Sequence, residues 1–452
     1  MRWGRGEAGK RGRDIEKPAW KSWAGKRLAH GILALFSIAE IAASQQASPL
    51  SRLPASPPES LTVYLMTMGP GERVWERFGH NAIWIHDPVR GTDQAYNYGI
   101  FDWRQQNFLL RFVQGRMWYS MQGAPVQLYL EEYRRANRSV WVQELNLAPS
   151  TRRELQAFLE WNERPENRFY HYDYYRDNCS TRVRDALDRA LGGILREPTE
   201  SAPTGRSFRF HTLRLTSNDP LTYTGLLLGL GQPVDRPISV WEEMFLPLAL
   251  RVHLRKLSVA GPEGGSVPLV KSERTLFASS DASPPPQPPS WISSYLLAGL
   301  MIGGLAWGFA GATPTSRMAR TGFLVTTWTW WMISGIAGLI LAGLWGLTDH
   351  SAAYRNENVL QMDLLALPLL WFGTRLVFGS HSAGRPAIVL AASVAALSIL
   401  GFLLQGLPQF YQVNGAIIAV ALPAHLGIAA GIWRLASVQG PRARRAPSRA
   451  SG

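Results

Sequence analysis

The last third of the chain consists of apolar segments of membrane-spanning length, and this feature constrains the fold more than any other. A helix needs roughly 20 residues to cross the hydrocarbon core of a bilayer. The third segment is shorter and carries Arg375 near its end. The sequence therefore predicts an integral membrane protein with a five-helix transmembrane α bundle over 291–433. Its five segments are 291–311, 322–347, 364–380, 386–405 and 415–433.

Basic residues predict the orientation of this bundle, because Lys and Arg collect on the cytoplasmic side of a membrane. They follow the first, third and fifth segments, as Arg317, Arg385 and the five Arg of the tail 434–452 show. The intervening loops, 348–363 and 406–414, contain a single Arg between them. We therefore expect a cytoplasmic C-terminus and a preceding domain outside the cytoplasm.

The N-terminus carries an export signal. Residues 1–44 combine a basic start with the apolar run 30–43, which is typical of a signal peptide or an uncleaved anchor; residues 45–60 then form a linker. Residues 1–27 hold nine Lys/Arg against three acids, so with the basic tail the termini supply +11 of the net charge of +14. A charge confined to membrane-flanking ends argues against nucleic-acid binding.

Between the signal and the bundle lies one domain. Residues 61–277 mix strand-like and helix-like stretches at ordinary charge density, which predicts an α+β fold in the periplasm. Residues 278–290 contain five prolines and predict a stiff, extended linker.

The only cysteine, Cys179, cannot form an intramolecular disulfide. It lies in YYRDNCSTRVRDALDRALGG, where the apolar spacing predicts a helix capped by Asp177 or Asn178. A thiol in a first helical turn lies near the positive end of the helix dipole, which favours the thiolate. The alternative is a small apolar residue buried beneath the helix.

A thiol nucleophile needs a base, and His80 is the best candidate. The alternating run HNAIWIHD predicts a strand that begins at His80, and AYNYGIF predicts the returning strand of a hairpin. This would place Asn97 next to the imidazole, where its amide could orient the ring; Tyr98 or Asp102 are alternatives. His80 could also be a polar residue that merely begins a strand.

Other kinds of site find little support. The chain has no HExxH motif, no paired cysteines and no histidines at i and i+4 on a predicted helix, so no metal site is predicted. It also lacks a GxSxG elbow and a phosphate-binding glycine loop. No cofactor is expected.

Several blocks resemble the Lnb N-terminal periplasmic domain family of bacterial envelope proteins. They occur over about residues 61–270, in the order in which the family has them. TDHSAAYRNENVL resembles the family more weakly, and the roles of its His350, Asn356 and Asn358 are left open. The blocks are VWERFGHNAIWI, YNYGIFDW, LEWNERPENRFYHYDYYRDNCSTRVRD and WEEMFLP.

The order of His80 and Cys179 also resembles the permuted NlpC/P60 papain-like fold, which includes lecithin:retinol acyltransferase. That resemblance implies Asn178-Cys179 as the nucleophile motif, His80 as the base and Asn97 as the third polar member. Members named Lnb are reported as lipoprotein N-acyltransferases, which implies acyl transfer from phospholipid to lipoprotein at the bacterial inner membrane. Asn178, Tyr98 and Arg182 are expected to contact substrate.

Two other functions remain open. A cell-wall peptide hydrolase, an endopeptidase or amidase of the NlpC/P60 type, would use the same Cys-His pair. A non-catalytic envelope protein would use the exported domain to bind a partner.

Overall fold

The computed structural model describes residues 56–101, 105–261 and 265–443, with side chains up to Val438. The predicted signal peptide or anchor, residues 45–55 of the linker, Asp102 and residues 444–452 of the tail lie outside these residues.

The strands are β1 (Thr62–Met68), β2 (His80–Asp87), β3 (Thr92–Phe101), β4 (Trp118–Pro125), β5 (Val140–Leu145), β6 (Phe169–His171), β7 (Pro203–Ser207), β8 (Pro237–Ser239), β9 (Ser258–Ala260), β10 (Ser266–Pro268) and β11 (Val270–Phe277). The helices of the same region are α1 (Phe108–Gln114), α2 (Val126–Arg135), α3 (Pro149–Glu163), α4 (Cys179–Ala190), α5 (Phe208–Thr216), α6 (Pro220–Gly229), α7 (Val240–Glu243) and α8 (Pro247–Leu254). The C-terminal helices are α9 (Ile292–Ala312), α10 (Arg317–Leu347), α11 (Ala366–Val377), α12 (His381–Leu404) and α13 (Gly415–Ala443).

A seven-stranded sheet in the order β11-β5-β1-β2-β3-β4-β6 organises the N-terminal region. Every pair of neighbours in it is antiparallel. Helices cover both faces, so the predicted α+β class is confirmed. Pairing of Ala82 with Asn97 also forms the predicted β2–β3 hairpin.

The two faces of the sheet form separate cores because successive side chains of a strand alternate in direction. Leu65 of β1 and Ile83 of β2 pack with Val183 of α4 on one face. On the other face, Met66 and Ala82 pack with tyrosines of α2. The strand beginning at His80 is thus held from both sides.

Four C-terminal helices, α9, α10, α12 and α13, are long and apolar enough to cross a membrane. The expected count of five is not reproduced, because the third apolar segment forms α11, a helix of only 12 residues. At ~1.5 Å per residue it extends ~18 Å, well short of the ~30 Å hydrocarbon core. The cytoplasmic position of the C-terminus stays a prediction.

The loop before α11 lies against the sheet domain. Asn356 Nδ2 donates to the carbonyl of Leu228 (2.9 Å) and Asn358 Nδ2 to that of Leu227 (3.2 Å), both near the C-terminus of α6. These are carbonyls that a helix end leaves without helical partners. The two asparagines, whose role the sequence left open, therefore join the membrane helices to the N-terminal region.

The N-terminal region also shares a core with the membrane helices. Leu213 of α5 and Tyr223 and Leu227 of α6 pack in the same buried cluster as Ala306 of α9. The proline-rich segment lies against the same helices, since Tyr223 Oη donates to the carbonyl of Pro289 (3.1 Å). The predicted proline-rich linker is thus hydrogen-bonded to α6 at its end.

Candidate active site

Helix α4 begins at Cys179 because Asn178 caps it. The Asn178 Oδ1 accepts from the backbone N–H groups of Ser180 and Thr181, each at 2.9 Å. The Thr181 hydroxyl in turn accepts from the Asn178 N–H at 2.8 Å, so three backbone donors at the start of the helix are satisfied. Cys179 therefore occupies the first helical position, where the dipole favours a negative charge.

The amide nitrogen of Asn178 is engaged as well. It donates to the carbonyls of Tyr174 and Phe245, each at 3.0 Å. The sequence suggests Asn178 as a substrate contact, but its buried side chain is occupied in holding the start of α4. Its role in this structure is to position Cys179.

His80 is the first residue of β2, and Asn97 lies diagonally across the hairpin on the same face. The side-chain oxygen of Asn97 hydrogen-bonds to Nε2 of His80. Because an amide oxygen only accepts, Nε2 carries the proton of that bond. The other ring nitrogen, Nδ1, is then the one available to the sulfur.

Cys179 and His80 are hydrogen-bonded to each other through their side chains. Burial raises the pKa of the Cys179 thiol, but the charge and hydrogen bond of His80, with the backbone N–H groups of Asn81 and Ser180, lower it overall. Burial likewise lowers the pKa of His80, and the Cys179 side chain reverses this to give a raised pKa. The geometry thus favours a thiolate–imidazolium pair.

The sulfur lies in a nearly enclosed position, with Cys179 only 8% exposed. Gly99 of β3 covers the pair: a Cβ built at this position would lie 3.6 Å from the Cys179 Cβ and 3.8 Å from Cε1 of His80. Its φ of +93° is one that glycine adopts at little cost. The backbone of β3 at Gly99 therefore lies next to the Cys179–His80 pair, and a side chain at this position would contact both residues.

Asn97 has a second partner in Tyr129 of α2, whose side chain hydrogen-bonds to it. Burial raises the pKa of Tyr129 to about 12, against the opposing effect of that bond. A neutral, buried phenol and His80 thus hold the Asn97 amide from two sides. Tyr98 packs in the core of the opposite face, where its hydroxyl donates to Asn162 (2.7 Å), so it does not take the place of Asn97.

The third expected substrate contact, Arg182, is already paired. Its Nη2 donates to Asp177 at 2.6 Å, and its guanidinium lies 4.2 Å from the ring centroid of Tyr170. Arg182, Asp177 and Tyr98 line a cavity of about 330 Å³ beside α4. The charge available to an anionic group there is reduced by the carboxylate.

Two polar residues not identified from the sequence lock the site together. The Ser180 Oγ lies 2.9 Å from Oδ1 of Asn81, and both side chains are fully buried. These residues directly follow Cys179 and His80. The position of Asn81 next to His80 was the available signal, but its partner ninety-nine positions away was not readable from local pattern.

Other histidines of the domain lie in a separate cluster. His211 and His253 contact the two carboxylate oxygens of Glu243 at 3.1 and 3.2 Å. Among the residues that the structure describes, no group of three or more His, Cys, Asp or Glu side chains could hold a metal ion.

Fold and site together define a membrane protein whose N-terminal α+β domain carries a buried Cys-His pair. Residues 53–217, which contain His80, Asn97 and Cys179, match the family model described as the Lnb N-terminal periplasmic domain. With the four apolar helices, this match supports an inner-membrane protein of the Lnb type with a periplasmic N-terminal domain. Comparison with curated proteins and with solved structures gave no match.

Proposed function

We propose that this protein is a membrane-anchored thiol acyltransferase that forms a thioester at Cys179. The observation that carries the proposal is the hydrogen-bonded pair of Cys179 and His80, with Asn97 orienting the imidazole. A nucleophile, a base and a group that orients the base are the parts that covalent acyl transfer needs.

The arrangement supports a papain-like mechanism of the permuted NlpC/P60 type. The nucleophile lies at the start of a helix, the base on a strand, and the third member on the neighbouring strand, with the base before the nucleophile in the chain. Asn97 would fix the ring so that Nδ1 faces the sulfur.

In the first half-reaction, the Cys179 sulfur attacks the carbonyl carbon of a phospholipid ester after its proton has passed to His80. The carbon–sulfur bond forms and the ester carbon–oxygen bond breaks. His80 returns the proton to the departing alkoxide, which leaves as a lysophospholipid. The enzyme retains the acyl group as a thioester.

In the second half-reaction, the α-amine of a lipoprotein's N-terminal cysteine attacks the thioester carbon. A carbon–nitrogen bond forms and the carbon–sulfur bond breaks. The amine proton passes to His80 and the sulfur leaves as the thiolate of the original pair. Cys179 and His80 are then ready for another donor.

The oxyanion of each tetrahedral intermediate needs preorganised donors. In the first turn of α4, the N–H groups of Ser180 and Thr181 are bound to Asn178. The N–H of Cys179 has no hydrogen-bond partner among the described residues. We assign it as the oxyanion donor.

Attachment to the membrane suits these substrates. Phospholipid and lipoprotein are both confined to the bilayer, and a domain packed on the membrane helices meets them at a raised effective concentration. A soluble substrate would gain nothing from this arrangement.

The test is a reconstituted reaction with full-length protein, phospholipid and a diacylated lipopeptide, followed by mass spectrometry of the lipopeptide. We expect an added acyl chain with wild-type protein, none with Cys179→Ala, and unchanged activity with Ser217→Ala, a control at the end of α5. Cleavage of muropeptides without acylation would instead support a peptide hydrolase. If Cys179→Ala keeps the activity of the wild-type protein, whichever of the two it is, thiol catalysis is rejected.

A further inference from the structure

Helix α1 presents an apolar surface that the protein itself leaves uncovered. Leu109 is 71% exposed, and Leu110, Phe112 and Val113 are each at least half exposed. Four adjacent exposed apolar side chains on one short helix mark an interaction surface rather than an ordinary soluble face. We refer to these four residues as the α1 surface.

The C-terminal end of α1 is joined to the outward end of membrane helix α10. The backbone N–H of Asp349 donates to the carbonyl of Gln114 at 2.8 Å, and Arg116 Nε lies 2.5 Å from Asp349 Oδ2. Asp349 follows the last residue of α10, Leu347, by two positions. The C-terminal end of α1 is therefore beside the end of α10, a helix long and apolar enough to cross a membrane.

A further contact supports the same placement. His350 Nε2 donates to the carbonyl of Phe112 at 3.2 Å, so the end of α1 is fixed at two successive residues of the loop. Exposed apolar side chains continue onto α10, where Leu347 is 80% exposed. The end of α10 next to α1 thus also exposes a large apolar side chain.

Charge around α1 favours the same partner. Residues 105–118 contain no acidic residue and two arginines; Arg116 is paired with Asp349, which leaves Arg111 as the basic group of the helix. Basic groups beside an apolar helix are attracted to the phosphates of anionic lipids. Leu221, in the first turn of α6, is another exposed apolar residue (85% exposed). Tyr223 of the same helix packs on Trp291, which directly precedes α9.

We propose that the α1 surface lies in the headgroup–acyl boundary of the leaflet facing the sheet domain, and that its partner is membrane lipid. The four apolar side chains contact the upper acyl chains, and Arg111 lies among the headgroups. This contact is independent of the chemistry at Cys179.

The placement also gives lipid a route to the site, an extension that rests on the proposed function. A small cavity of about 40 Å³ lies between α1 and the loop, lined by Phe112, His350 and three tyrosines. One of these, Tyr172, stacks on Tyr119, with their ring centroids 4.2 Å apart. The pKa of Tyr172 is raised mainly by burial and, to a smaller extent, by the nearby Cys179. An acyl carbonyl would enter past this cavity.

The test measures membrane depth in a background that lacks the proposed chemistry. Cys179→Ala makes the full chain cysteine-free, after which Leu110→Cys or Val113→Cys is labelled with a nitrobenzoxadiazole fluorophore. The protein is reconstituted into phosphatidylcholine–phosphatidylglycerol vesicles with and without doxyl-labelled lipid. Val89→Cys is the matched control, because Val89 is 61% exposed and lies in the turn before β3, a strand of ten residues that extends ~33 Å.

We expect blue-shifted emission and at least twofold stronger doxyl quenching at positions 110 and 113 than at 89. Equal quenching at all three positions would overturn the proposal. A blue shift that grows with the protein-to-lipid ratio, with no doxyl quenching, would also overturn the proposal. That result would indicate that a second copy of the chain covers α1. None of these outcomes depends on whether Cys179 is a catalyst.

Discussion

The Ser180 Oγ lies 2.9 Å from Oδ1 of Asn81, which places the residue after the proposed nucleophile against the residue after the proposed base. The Asn81 Nδ2 donates to the carbonyl of Met66, so the bond also reaches β1. Ser180 Oγ is 2.7 Å from the carbonyl of Met244. This buried contact sets how far α4 stands from β2, and with it the distance between Cys179 and His80.

Replacing Ser180 with Ala is predicted to weaken both the fold and the site. It leaves Oδ1 of Asn81 without its Ser180 donor in a buried position, which costs about 1–3 kcal/mol. Thermal unfolding of full-length protein in detergent, followed by tryptophan fluorescence, measures this. Ser217→Ala should have little effect, because Ser217 bonds only to a carbonyl of its own helix at the end of α5. Equal stability of the two variants would contradict the role given to Ser180.

His80 is predicted to keep Cys179 reactive below the usual thiol range. The pKa of Cys179 is lowered and that of His80 is raised, because each side chain stabilises the charged form of the other. The contribution of this ion pair to stability is lost as pH falls through the lowered pKa of Cys179, and as pH rises through the raised pKa of His80.

His80→Ala should therefore raise the thiol pKa and slow labelling by iodoacetamide near neutral pH. His86→Ala is the matched control on the same strand, because His86 bonds to Asp93 at 2.8 Å away from the sulfur. The measurement is the labelling rate against pH. A profile unchanged by His80→Ala would show that the imidazole does not act on the thiol.

Asn97 is predicted to act as a positioning residue for His80. Asn97→Ala removes the acceptor of the Nε2 proton and frees the ring to turn, and a misplaced base costs on the order of 10²-fold in rate. The loss should fall on kcat more than on KM, with the protein still folded. The activity of Asn97→Gln should lie between that of the wild type and that of Asn97→Ala. Identical rates for all three proteins would show that Asn97 does not position His80.

Gly99→Ala tests the close approach to the sulfur. An L-residue at φ +93° is strained by about 1–2 kcal/mol, and the added methyl contacts both members of the pair. Gly91→Ala shares the positive φ (+63°) but has nothing within 4 Å of the added Cβ. Both variants should be less stable, but only Gly99→Ala should slow labelling of Cys179. Slower labelling in both would assign the effect to strain alone.

Asn358→Ala is predicted to loosen the attachment of the domain to the membrane helices. Asn358 is fully buried and its amide donates to the carbonyls of Leu227 and Leu228, so its loss costs about 1–3 kcal/mol. Asp349→Asn is the comparison: its exposed ion pair with Arg116 should matter little. Protease resistance of full-length protein in vesicles checks this, and a greater effect of Asp349→Asn would reverse our ranking.

Local patterns were sufficient to place Cys179 at a helix start and His80 and Asn97 on a hairpin. Capping by Asn178 and the period-two run after His80 depend on near neighbours in the chain. The bond between Asn81 and Ser180 joins residues far apart in sequence, and no local pattern encodes it. Tyr129 was missed for the same reason.

The membrane region shows the same division. Hydropathy located all the apolar segments, but it could not show that the third would form only a 12-residue helix after an irregular loop. That loop is held in place by tertiary hydrogen bonds of Asn356 and Asn358, which satisfy free carbonyls at the end of α6. Non-local contacts of this kind decide where a helix begins.

The most direct test of the central claim is the intact mass of full-length protein after brief incubation with phospholipid and no acceptor. The account predicts an added acyl mass located on the peptide containing Cys179, released by hydroxylamine and strongly reduced in His80→Ala. An acyl mass on another residue, or no adduct while the purified protein still acylates a lipopeptide, would contradict a thioester at Cys179.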